Sequence, residues 1–159
     1  MNDAEIKKTA AKITVLVNLR VDLDNLKRRL PMAIGELKKA IQSNKNDKEK
    51  LKHYVAIFEP TKKFEAAVVT AVKAINEMIE DVSEKKLKQA KTSAELKEKL
   101  RKKLATIKLA SDSGAKFFAA SGEPHRWGPP ESTSVLASLN YNKDMINNIA
   151  KLQVGINSL

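Results

Sequence analysis

Residues 64–82 read FEAAVVTAVKAINEMIEDV, and their apolar side chains return at three- and four-residue steps through Phe64, Ala67, Val68, Ala71, Val72, Ile75, Met78, Ile79 and Val82. That interval gathers them on one face of an α-helix, so the segment is expected to form a long helix at the centre of a hydrophobic core. Toward the N-terminus the same interval links Ile6, Ala10, Ile13 and Val17, and then Leu16, Leu19, Leu23, Leu26 and Leu30, which predicts a first helix running to about residue 30. Asn2, with Glu5 three residues on, is a start signal of the capping-box type. Pro31 has no N–H for a helix interior, so a break or kink is expected there before Ile34, Leu37 and Ile41 resume the pattern. The polar run QSNKNDKEK at 42–50 predicts a further interruption, with Asn46 or Asp47 capping a piece that carries Leu51, Tyr54, Val55 and Phe58. Glu59-Pro60-Thr61 predicts a boundary before the central helix, because a residue preceding proline is steered away from helical dihedrals.

Toward the C-terminus, Thr92-Ser93-Ala94-Glu95 is the clearest capping box in the chain. It opens a helix with Leu96, Leu100, Leu104 and Ile107 on one stripe, ending at 111–114 or continuing through Phe117 and Phe118. The stretch SGEPHRWGPPESTS at 121–134 holds two Gly and three Pro, which predicts a long loop at about 121–133. A final helix at about 134–159 follows. Its seam is Val135, Leu139, Asn142, Ile146, Ile149, Gln153 and Ile156, flanked by Met145, Leu152 and Leu159. With 159 residues, only 5 Gly and 5 Pro, and 4% aromatic side chains, the chain is lean in strand and turn formers. The expected fold is one all-α domain over 1–159, an antiparallel bundle of four to five helices with the Gly/Pro loop before the last.

Residue types restrict the chemistry. The absence of cysteine removes disulfides, thiol nucleophiles and Cys-ligated metal clusters. His53 and His125 are the two histidines, and a carboxylate-bridged di-iron bundle would need Glu-x-x-His, whereas Glu49 precedes His53 by four. Asp22 and Asp24 face different sides of a helix, Glu80 and Asp81 are adjacent, and neither pair converges. The five glycines are scattered and make no phosphate cradle. The chain is therefore expected not to be an enzyme, with no catalytic, cofactor or metal site and no small-molecule substrate.

Charge restricts the partner. Lys and Arg number 30 against 19 Asp and Glu, a net charge of +11. Residues 84–108 hold 10 basic and 3 acidic side chains, while 109–159 hold 4 of each. The candidate anion-contacting residues are thus Lys85, Lys86, Lys88, Lys91, Lys97, Lys99, Arg101, Lys102, Lys103 and Lys108. On a helix they spread around most of the circumference, and no aromatic lies between Phe64 and Phe117 to stack a base. Nucleic acid, if bound, would be held through phosphates with steep salt dependence.

Arg126 and Trp127 belong to the types in which interface energy concentrates, and they are candidates for docking onto a neighbouring chain or for covering the end of the bundle. Asn142 and Gln153, polar positions in an apolar seam, are candidates for fixing partner register, together with Ile146, Ile149 and Ile156. The expected function is a structural or protein-interaction module that assembles through helical faces with itself or another helical protein and carries a basic surface. The alternatives are a nucleic-acid-binding accessory protein and an amphipathic lipid-surface binder. No secretory leader or apolar run of about 20 residues occurs, so an intracellular site or export without a cleaved signal is expected.

Overall fold

A computed structural model describes residues 1–121 and 133–159. The fold is all-α. Six helices occur among the described residues: α1 (Asp3–Lys12), α2 (Val15–Ser43), α3 (Lys48–Asp81), α4 (Glu84–Gln89), α5 (Ser93–Ser121) and α6 (Thr133–Asn157). The expected loop lies outside the described residues, together with His125, Arg126 and Trp127, apart from Ser121 and Thr133 at its helical borders.

The four long helices close a ring in which α2 packs on α3, α3 on α5, α5 on α6 and α6 on α2. Cross-helix contacts fix their directions. Glu36 meets Ser134 and Asp22 meets Asn148, so position falls along α2 as it rises along α6. Phe64 packs on Phe117 with ring centroids 5.2 Å apart, and Asp81 pairs with Lys99, which makes α3 and α5 antiparallel as well. Asn142 reaches Gly114 and Asn157 reaches Arg101, completing an up-down-up-down bundle. The short α1 and α4 pack on each other, and the Met1 ammonium donates to the Ala90 carbonyl at 2.9 Å.

The core is the one the apolar stripes dictate. Leu19, Leu23, Leu26 and Leu30 of α2 meet Phe64, Val68, Ile75 and Met78 of α3, Leu100, Ile107 and Phe117 of α5, and Met145, Leu152 and Ile156 of α6. Burying each such side chain contributes about 1.5–3 kcal/mol. Three expected starts are made by the expected caps: Asn2 accepts from the Glu5 N–H at 2.9 Å, Asp47 from Lys50 at 3.2 Å and Thr92 from Glu95 at 3.2 Å.

Two expected breaks are absent, and one unexpected break occurs. Pro31 and Pro60 both lie inside helices. Pro31 is exposed, so the carbonyl it leaves without a donor can turn to water, while Leu30, Ala33 and Leu37 hold α2 to the core on either side. Around Pro60, buried Tyr54, Ile57, Thr61 and Phe64 do the same, and the Thr61 hydroxyl donates to the Ile57 carbonyl at 2.7 Å. Tertiary packing outweighs the local penalty of about 3 kcal/mol. The actual break comes at Ile13–Thr14, where buried Ile13 ends α1 and its N–H bonds the Ala10 carbonyl. That turn presses on α6 at Gly155, where a Cβ would overlap the Lys12 carbonyl oxygen.

Candidate interaction surface

The cationic stretch is divided by the fold. Lys99 and Lys103 both pair with Asp81 at the end of α3, the former at 3.2 Å. Lys97 donates to the Asn157 carbonyl at 2.8 Å and Arg101 to the Asn157 side chain at 3.3 Å. These two cations therefore sit where the exposed carbonyls of the α6 C-terminus carry partial negative charge. Lys88 pairs with Glu84 one turn earlier at 3.1 Å, and the hydrogen bond to Glu84 raises the ammonium's proton affinity above its ordinary value. Lys85, Lys86, Lys91, Lys102 and Lys108 are exposed to solvent. The ten residues thus split between ties that hold helix ends and an outer set facing water.

The C-terminal seam lies one column away from the expected one. Val135, Asn142, Ile149 and Ile156 are buried as the spacing requires, but Met145 and Leu152 share the interior with them, whereas Leu139, Ile146 and Gln153 lie half-buried at its edge. Asn142, Ile149 and Ile156 consequently face the bundle's own core, and the surface available to another chain on this flank includes Leu139, Ile146 and Gln153. Asn142 is 1% exposed, and its amide donates to the Gly114 carbonyl at 2.9 Å. Its Oδ1 fills the space that a Cβ at position 114 would need. Glycine at 114 and asparagine at 142 are matched across the α5–α6 interface, a pairing that no local pattern announces.

Just beyond that pair the two helices leave a groove of about 490 Å³, lined by Ala115 and Phe118 of α5 and by Leu139, Asn140, Asn142, Lys143, Ile146 and Asn147 of α6. Phe118 is 59% exposed, and with half-buried Leu139 and Ile146 beside it the groove carries a small apolar patch. Sequence reasoning used Phe118 only to mark the end of α5. The signal that finds it is the neighbouring pair Phe117-Phe118, of which a helix can bury only one against a given partner.

On its other side α6 meets α2 through a polar groove lined by Asn18, Val21, Asp22, Asp144, Asn147, Asn148 and Lys151. Asp22 is 9% exposed and accepts from the Asn148 amide at 2.5 Å. Burial pushes its carboxyl above the usual aspartate range and Asp144 pushes the same way, while the Asn148 hydrogen bond opposes them. Higher along this interface Glu36 takes both the N–H and the hydroxyl of Ser134, at 2.9 and 2.8 Å. A carboxylate from α2 thereby caps the start of α6, where helix donors lack partners.

Among the described residues no group of three or more His, Asp or Glu side chains is placed to hold a metal ion. No helix there is long and apolar enough to cross a membrane. No protein-family model, curated protein or solved structure matches this chain.

Proposed function

We propose that this chain is a non-enzymatic interaction module: a closed bundle whose α5–α6 groove docks a protein of opposite charge while the surrounding cations draw that protein in. The carrying observation is the groove, in which exposed Phe118 stands beside Leu139, Ile146 and Lys143. Apolar anchors beside cations are the mixture that supports both a desolvated contact and steered association. The net charge of +11 favours an acidic partner at any distance within the screening length, about 8 Å at physiological salt.

Anilinonaphthalene sulfonate, an apolar anion, tests whether the groove is open on the native protein. Its fluorescence should rise on binding, and Phe118→Ser should reduce the rise while Met32→Ser, at an exposed position on α2, leaves it intact. An unchanged signal in Phe118→Ser, or no signal at all, refutes the docking role.

The exposed Lys85, Lys86, Lys91, Lys102 and Lys108 support a second reading, in which the outer cations meet nucleic acid. Binding of duplex DNA or RNA would then weaken steeply with salt, and Lys102→Glu would reduce it. No binding at low salt removes this reading.

A further inference from the structure

Resting on the docking role above, we propose that the α5–α6 groove receives an amphipathic α-helix from a partner protein, with aliphatic side chains on its buried face and Asp or Glu along its edges. A groove between two antiparallel helices runs along the bundle axis, and a third helix fits such a groove by anchors at i, i+3 or i+4, and i+7. The spacing of the lining matches. Leu139 and Ile146 are seven residues apart on α6, about 10.5 Å along the axis, and Phe118 faces the same groove from α5.

The cations repeat with the same step. Lys108 lies seven residues before Ala115 on the same face of α5, Arg101, a further seven before it, is tied to Asn157, and Lys143 lines the groove from α6. Among the described residues no carboxylate lines it. Asp144 belongs to the α2–α6 groove, and Asp112, four residues after Lys108 and about 60° from Ala115 at 100° per residue, borders the same row of α5. An incoming helix with acids at heptad spacing therefore finds Lys143 in the groove and Lys108 further along α5, with the single carboxylate of Asp112 beside the latter.

Other occupants fit less well. A second copy would set Arg101, Lys108 and Lys143 against themselves, with +11 on each partner, and like charges across an interface are costly. An acyl chain would bury the exposed Asn140 and Asn147 carboxamides against groups that cannot bond them. A nucleic acid would stack a base on Phe118 but gains nothing from Leu139 and Ile146.

The test uses the full chain and two fluorescent 18-residue helical peptides with the same leucine face, one edged with Glu and the other with Lys. Fluorescence anisotropy should show the Glu peptide binding at least about tenfold more tightly than the Lys peptide, about 1.4 kcal/mol. Phe118→Ser should weaken it by a similar factor, and Lys143→Glu should narrow or reverse the preference between the peptides. Both positions are exposed, and circular dichroism checks that each variant keeps its helices. Equal binding of the two peptides, or binding indifferent to Phe118→Ser, overturns the proposal. If the sulfonate dye binds in a Phe118-dependent way while neither peptide does, the partner class is wrong and the groove remains a docking site. A concentration-dependent dimer abolished by Phe118→Ser assigns the groove to a second copy. Flotation with anionic vesicles that depends on Phe118, without peptide binding, assigns it to lipid; either result overturns the helix.

Discussion

Against α2 and the turn before it, α6 is tied along its whole length: Glu36 holds Ser134, Asp22 holds Asn148, and Lys12 donates to the Ser158 carbonyl at 2.5 Å while its own carbonyl lies on Gly155. Against α5 the same helix is held at its middle by Asn142 and at its C-terminal end by Lys97 and Arg101. Along Leu139 to Asn147, on the outer side of Asn142, the second flank opens into the groove that carries Phe118. One helix thus has a closed flank, which fixes its register, and an open flank. The bundle can therefore offer apolar surface on the α5 side without loosening α6.

The largest expected effect breaks the closed flank. In Gly155→Ala the new Cβ meets a backbone carbonyl, which cannot rotate away. A loss of about 3 kcal/mol should follow, lowering the melting temperature by about 6–12 °C in calorimetry. A melting point unchanged within error would show that α1 does not press on α6. Gly114→Ala, on the α5 side, should cost somewhat less, about 2 kcal/mol, because the obstructing atom belongs to a side chain. Adding Asn142→Ala to it should recover part of that loss, so that the double variant costs less than the two single changes together. Strict additivity would mean the two positions do not meet.

Glu36→Ala removes the carboxylate that caps α6 and should lower stability by about 1–2 kcal/mol, with hydrogen exchange accelerated first in the opening turn of that helix. The smallest effect sharpens the comparison in the opposite direction. Because burial raises the Asp22 carboxyl above its ordinary 3.8, its ionised form destabilises the fold at neutral pH. That cost fades as pH falls through the raised value and the carboxyl takes up its proton. Asp22→Asn, which keeps an acceptor for Asn148, should therefore melt higher than the parent at pH 7, and the gap should shrink on acidification. A gap that widens toward acid would contradict the assigned shift.

Local patterns were legible and distant ones were not. The stripes of α2, α3 and α5 and the caps at Asn2, Asp47 and Thr92 depend on residues within a turn or two of one another, and the sequence displays them directly. Pro31 and Pro60 misled because their penalty is local, while the burial of Leu30, Leu37, Ile57 and Phe64 that overrides it comes from other helices. Gly114 and Gly155 looked like scattered glycines; what makes them necessary is Asn142 and Lys12, brought close only by folding. The groove escaped notice for a related reason. Apolar residues on α6 extend past the buried column on the α5 side, so that periodicity alone could not separate Met145, inside, from Ile146, at the edge.

The clasp between Lys12, Gly155 and Ser158 also bears on how the molecule comes apart. Terminal helices usually fray first, yet here Lys12 at the end of α1 is tied to Gly155 and Ser158 at the end of α6, so the last turns of the two helices are held to one another. Both extremities should then lose their amide protection in step with one another.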